Sequence, residues 1–349
     1  MDKEIKDLKQ PRTKQLALFE LIQPQDINYS NFVEFFDNLP LFIDDAQKRY
    51  WDYQNVKPSL STEFKFSHEG VEKLFIITLR PARVVHDENE VLVYPSIQRE
   101  QAVYDALRKL ASSGLGGFYG EELGTTFTLQ MLRKELAKFK KTFSLSQLKE
   151  SLNVLRSAEI KVTAIDGTFE WTPSYLSNMA LTSRDSFLNN SSEAKCIVLF
   201  DNLVSTSVKR LEFREYNYAI AQSTKNPIAK YLTKRMDRRY RQASTEQPYT
   251  IKMSTIFKAV YRKLDPKMSN NTRHMTTAFK EMTSKLRISN TAPPKAIKSE
   301  KDARVTIDYI YTLFPHEEFI KDVKRYHAKH SIMLRKEQLL SNKKYDHSY

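Results

Sequence analysis

The stretch Asn270-Asn-Thr-Arg-His-Met-Thr-Thr-Ala-Phe-Lys-Glu-Met-Thr-Ser-Lys-Leu-Arg287 decides how the chain is read. Met275, Phe279, Met282 and Leu286 recur at the alternating four- and three-residue spacing of one buried helical stripe. Arg273, Thr277, Lys280 and Ser284 repeat that spacing two residues out of phase, about 200° around a helix, and so face away from the core. An outward row of Arg, Thr, Lys and Ser suits the major groove of double-stranded DNA. The cations donate to guanine edges, Thr meets a thymine methyl, and hydroxyls adapt to either. Asn271 and Thr272 occupy the first turn, the end from which a recognition helix first reaches bases. An ordinary solvated helix face has a similar composition, so the flanking segments decide between the two.

Upstream, Asn226-Pro227 is a helix start, with a capping side chain followed by a residue preset for the first helical position. The helix that follows carries Lys230, Lys234, Arg235, Arg238, Arg239 and Arg241 against one acid, Asp237. A short strand at 249–253 and a helix at 255–264 lead to the turn Asp265-Pro266. Downstream, residues 289–303 are polar and basic, with Lys295, Lys298, Lys301 and Arg304 around Pro293-Pro294. Val305, Ile307, Tyr309, Tyr311 and Leu313 then alternate as a strand. Helices followed by a strand hairpin give the order of a winged helix. The cations of the 226–241 helix and of the wing are expected to lie along the phosphate backbone. Residues 317–344 read as an amphipathic helix with a basic tail.

Charge agrees with a polyanionic partner for this half. The chain of 349 residues carries a formal charge of +14, and residues 210–349 hold 30 Lys+Arg against 14 Asp+Glu, whereas residues 1–209 hold 26 against 28. A single cysteine, Cys196, lies in the apolar run Cys196-Ile-Val-Leu-Phe200, which rules out an intramolecular disulfide and suggests a buried thiol. The charged start and the lack of a long apolar run point to a cytoplasmic protein with no membrane association.

The first half repeats the layout without the same charge. A β reading begins at Glu63 with Phe64, Phe66, Leu74, Ile76 and Thr78, and continues at Val91 and Val93. Val103, Leu107 and Leu110 mark a helix running to about Ser112. Five of the seven glycines fall between Gly114 and Gly124, and that stretch is expected to be a flexible loop. The stripes Phe127, Leu129, Leu132, Leu136, Phe139 and Leu145, Leu148, Leu152, Leu155 form a helix-turn-helix silhouette. A strand at 160–165, the turn Asp166-Gly167 and a return strand from Phe169 make the hairpin after it. The second helix of this unit shows Lys149 and Arg156 beside Glu150, Asn153 and Ser146, a face better suited to protein contact than to base reading.

Tyr94-Pro-Ser96, the run from Arg99 to Ala111, Phe127-Thr-Leu129, Leu132-Arg-Lys-Glu-Leu136 and Ser144-Leu-Ser-Gln-Leu-Lys-Glu-Ser-Leu152 resemble the central region of Rep-type plasmid replication initiators. The resemblance implies an α+β protein of two tandem winged-helix domains, and the pattern along the chain places them at 61–210 and 211–349, after an N-terminal extension of residues 1–60. It implies a C-terminal domain that reads repeated origin sites (iterons), and an N-terminal one that supports a homodimer or a monomer–dimer equilibrium. It further implies recruitment of host replication proteins such as the replicative helicase, and repression of the protein's own gene. The longer preface and the glycine-rich stretch depart from that pattern. A winged-helix transcriptional regulator with no replication role is the alternative, and a basic scaffold acting on RNA a third.

No catalytic function or cofactor is expected. His327 and His330 form the nearest histidine pair but lack a third metal ligand, and the acidic run His86-Asp-Glu-Asn-Glu90 reads as a hairpin tip. The glycines between 114 and 124 lack the Lys-Ser/Thr of a phosphate loop.

Overall fold

Two sets of buried apolar side chains organise the chain, one from Val33 to Phe213, joined by Val260 and Met333, and one from Ile228 to Val323. The computed structural model describes residues 28–33, 36–44, 50–52, 59–68, 71–86, 88–181 and 195–342. The N-terminal arm and the tail at 343–344 lie outside the described residues, as does Asp87.

The first core is built by β1 (Tyr29–Val33), β2 (Tyr50–Asp52), β3 (Leu60–His68), β4 (Val71–Arg80), β5 (Ala82–His86), β6 (Asn89–Val93) and α1 (Glu100–Leu110). There follow β7 (Gly116–Tyr119), β8 (Glu122–Phe127), α2 (Leu129–Ala137), α3 (Leu145–Ser157), β9 (Glu159–Ala164), β10 (Glu170–Trp171), β11 (Leu176–Ala180), β12 (Cys196–Phe200) and α4 (Asn202–Lys209). Thr128 caps α2, and Ser144 with Gln147 forms a reciprocal capping box on α3. The hairpin β9–β10 extends the β3–β4 sheet in the order β10-β9-β4-β3, while β8 lies between β7 and β12 in a separate sheet. Thus α1, α2, α3 and the β9–β10 hairpin keep winged-helix order.

The stretch between Gly114 and Gly124 is a β-hairpin rather than a loop, with Gly117 opposite Gly124. Close approach calls for Gly124, where a Cβ would lie 2.6 Å from both Leu199 Cδ2 and the Val198 carbonyl oxygen on β12, whereas Gly114 and Gly120 take left-handed φ of 92° and 64° with open space around them. Phe127 accordingly ends β8 instead of opening the next helix.

The chain then passes through β13 (Phe213–Asn217) and α5 (Tyr218–Ser223) into α6 (Pro227–Arg239), β14 (Tyr249–Lys252), α7 (Met253–Ala259) and α8 (Met268–Ser284). β15 (Ile288–Thr291), β16 (Lys295–Lys298), β17 (Thr306–Pro315) and α9 (Glu317–Asn342) complete it. β17 is the central strand, paired with β14, β15 and β16, all antiparallel. Asn226 accepts from the Ala229 amide and so caps α6 as its sequence requires. The architecture is α+β, and the second unit has the winged-helix order.

The two units are closely joined. β1 pairs along its whole length with β13, and α9 runs from the second core, through Phe319 and Val323, to the first, through Met333. Among the described residues no helix is long and apolar enough to cross a membrane.

Candidate nucleic-acid interface

Helix α8 stands on Met275, Ala278, Phe279 and Met282, all buried, with the Phe279 ring 5.0 Å from that of Tyr311 on β17. Of the sequence-derived stripe, Leu286 alone points outward. The helix ends at Ser284, Leu286 takes a left-handed φ of 56°, and Arg287 turns inward in its place.

The opposite face is open. Arg273, Thr277, Lys280 and Ser284 are exposed, as are Thr276 and Thr283, which share the face but were not singled out from the sequence. Neither Arg273 nor Lys280 has an acidic partner among the described residues. The hydroxyls of Thr272, Thr277 and Ser284 donate to the carbonyls of Ser269, Arg273 and Glu281 at 3.0, 3.0 and 2.7 Å. Such back-bonding fixes each rotamer and leaves oxygen lone pairs and threonine methyls facing outward. Thr272 is half-buried. Asn271 is not available to bases: it is buried, accepts from the Asp265 amide at 2.9 Å and donates to the Asp265 carbonyl at 2.8 Å. It locks the turn before α8, a role that its position in the first turn does not reveal.

Several contacts fix how α8 is presented. Glu281 accepts from the Lys225 and Asn226 amides, both at 2.7 Å, and so holds α8 against the start of α6. Lys285 donates to Ser223 at 3.0 Å. Arg262 donates to His274 Nε2 at 2.8 Å and to Asp44 at 2.7 Å, which ties α8 to the first unit. Partial burial, with Arg262 and Arg273 nearby, holds the His274 imidazole below the usual histidine range.

The wing, β16 and the start of β17, presents Lys295, Lys298, Lys301 and Arg304, all exposed. Glu300 lies in the same loop, and Asp302 accepts from the Arg304 amide at 2.9 Å and closes the turn.

Helix α6 corrects the sequence reading. Lys230, Lys234 and Arg238 are buried, at 0%, 4% and 6% exposure, and face the first unit instead of solvent. Lys230 donates to the Ile97 carbonyl at 3.0 Å, Lys234 to both oxygens of Asp105 at 2.8 and 2.9 Å, and Arg238 to the Asp37 carbonyl. Arg235 is half-buried and bonded to the Tyr249 and Tyr231 hydroxyls at 2.8 and 3.0 Å. Arg239, also half-buried, lies over the Phe64 ring, 5.4 Å from its centroid. Phosphate cannot reach the three buried cations in this arrangement, and their charge is already answered within the chain.

These cations lie among further buried charges. Asp37 receives Arg108 at 2.6 Å on both oxygens; burial would raise its carboxyl, but Arg108, Lys234 and Arg238 hold it below the usual range. Further along, Arg287 bonds Asp322 at 2.7 Å and Asp237 at 3.4 Å. Asp322 also accepts from Tyr29 on β1 and Asn217 on β13. Burial pushes the Asp237 carboxyl up to about 7 despite Arg287 beside it.

Outside this region, His327 bonds the Arg241 carbonyl at 2.7 Å. No group of three or more potential metal-ligating side chains occurs among the described residues. Cys196 is buried.

No protein-family model and no curated protein matches the sequence. Among solved structures, the fold is similar to domains 2 and 3 of RctB, with a TM-score of 0.45 and 9% identity over 81% of this chain and 96% of that one. A second structure of RctB domains 2–3 gives a TM-score of 0.45 and 10% identity, over 81% of this chain and 98% of the other. The Pi initiator protein, in complex with iteron DNA, gives 0.43 and 13% identity over 63% of this chain and 93% of that one. At this distance the likeness describes a layout, and the functional case rests on α8 and the wing.

Proposed function

We propose that the chain is a sequence-specific, double-stranded-DNA-binding replication initiator that sets α8 in the major groove and its wing against the adjacent backbone. One observation carries the reading. The second unit places most of the α6 cations in buried or half-buried contacts, yet leaves Arg273 and Lys280 on an open, acid-free helix face beside four more exposed cations in the wing. Arg273 and Lys280 read guanine edges, Thr276 and Thr277 meet thymine methyls, and Lys295, Lys298, Lys301 and Arg304 set register on phosphate.

The sites are repeated elements beside an AT-rich tract. The first unit supports pairing of two copies and meets host replication proteins, the replicative helicase among them. Repression of the protein's own gene follows if its promoter overlaps those repeats, and the protein works in the cytoplasm.

The test is footprinting of purified protein on the DNA flanking its gene, together with selection from a random duplex library. A ladder of evenly spaced protected repeats is the expected result. A lone protected palindrome would make the protein a regulator, and equal capture of RNA and duplex at matched salt would remove the reading altogether.

A further inference from the structure

The histidine pair on α9 is surrounded by cations. His327 and His330 lie one helical turn apart and share a face. His327 Nε2 donates to the Arg241 carbonyl, just beyond α6. Arg214, from β13, lines an open recess with His330, and its other walls are Phe213, Glu215, Tyr326, Lys329 and Met333. The carboxylate in that recess is engaged: Glu215 bonds Lys329 and lies 3.6 Å from Arg325. Arg214 is not matched in this way. It is half-buried, no carboxylate bonds it among the described residues, and burial alone pulls its guanidinium below the usual range. The charges that act on His330 are all basic. Partial burial lowers its imidazole first, and Arg214, His327 and Arg241 lower it further.

Elsewhere at the junction buried cations are matched by acids, as Lys234 is by Asp105 and Arg108 by Asp37. A half-buried guanidinium without a counter-ion costs free energy, and an anion in the recess would remove that cost. The two arginines also decide between ligand types, since they repel the metal ion that a histidine pair could otherwise attract. We infer that Arg214 and His330, in the positive field of His327 and Arg241, bind a phosphate group. A guanidinium fork and an imidazole N–H donate to separate oxygens of a tetrahedral anion, and charge-assisted bonds of this kind are the strong ones. Two sources carry such a group, a free phosphate compound and the backbone of bound DNA. None of these residues belongs to α8 or the wing, so the site stands apart from the DNA-binding reading above.

The experiment follows thermal unfolding of the full chain in sodium phosphate and in sodium chloride of equal ionic strength, together with the salt dependence of its binding to a mixed-sequence duplex. If the source is a free phosphate compound, saturating inorganic phosphate raises the midpoint by about 2 °C over chloride, and Arg214→Gln and His330→Gln each abolish the rise. If the source is the DNA backbone, Arg214→Gln weakens binding to all sequences alike and flattens the salt slope by about one. In both cases the midpoint of Arg214→Gln in chloride does not fall, because no ion pair is lost. A clear fall would make Arg214 a structural cation and overturn the inference. A phosphate effect that survives in both variants, or no phosphate effect together with an unchanged salt slope, also overturns it. So does a midpoint that rises with zinc chloride and not with phosphate, which would make the histidine pair a metal site. If no duplex is bound at all, the DNA-binding reading fails and the phosphate titration decides the site alone.

Discussion

Single residues on α8 and α6 carry similar charge to opposite ends. Arg273→Ala or Lys280→Ala removes a base contact and should relax preference at one position by about 1–3 kcal/mol, read as competition between matched and mismatched duplexes, with thermal stability unchanged. Lys234→Met leaves Asp105 buried without its cation and should cost about 3–5 kcal/mol of stability, read as a fall in unfolding midpoint, whatever its effect on DNA. Asp237 gives a pH signature. Its folded carboxyl, near 7, holds a proton more tightly than the unfolded one, so its contribution is most favourable below the unfolded pKa of about 4 and declines as pH rises towards 7. Asp237→Asn should therefore gain midpoint relative to wild type as pH is raised from 5 to 8; parallel curves would contradict the assignment.

At the scale of elements, α8 and its buried stripe are legible because a periodic apolar pattern needs no knowledge of partners: Met275, Phe279 and Met282 are buried where spacing puts them. The helix end is not legible, since Arg287 turns inward towards acids 35 and 50 residues away along the chain. Nor is α6. Lys230, Lys234 and Arg238 fall at four-residue intervals, as a row along a phosphate backbone would, and their true partners, Ile97, Asp105 and Asp37, are over a hundred residues distant. Composition reports charge but not what faces it. The glycine-rich hairpin escaped for a similar reason, because close approach by β12 at Gly124, left-handed turns at Gly114 and Gly120, and flexibility all call for the same residue. Glu281→Ala tests how α8 is held: it uncaps α6 at two amides and should lower stability by about 1–2 kcal/mol in thermal unfolding.

Across the whole molecule, the buried cations change the meaning of the charge asymmetry. Part of the excess in residues 210–349 joins the second unit to the first, through Lys234 with Asp105 and Arg262 with Asp44, and only the rest faces outward. The outward part includes Arg273 and Lys280 on α8 and the four cations of the wing, but also Arg241, Lys252, Lys263, Lys267, Lys321 and Lys324 on other elements. Buried charge contacts across β1, β13, α1, α6 and α9, with Arg287 just beyond α8, leave little that separates on its own, so calorimetry should show one unfolding transition, with two resolved transitions contradicting the shared contacts. The presentation of α8 is then set by the chain as a unit, with Asp44 and Glu281 as its nearest fixed points.

The central claim is that the open face of α8 reads base pairs, and the most direct measurement is binding of the Arg273→Ala/Lys280→Ala protein to a selected duplex and to a scrambled one at matched salt. The expected result is that affinity for the selected duplex falls towards that for the scrambled one, while the scrambled duplex is still bound through the wing. Retention of the full wild-type ratio between the two duplexes would contradict it.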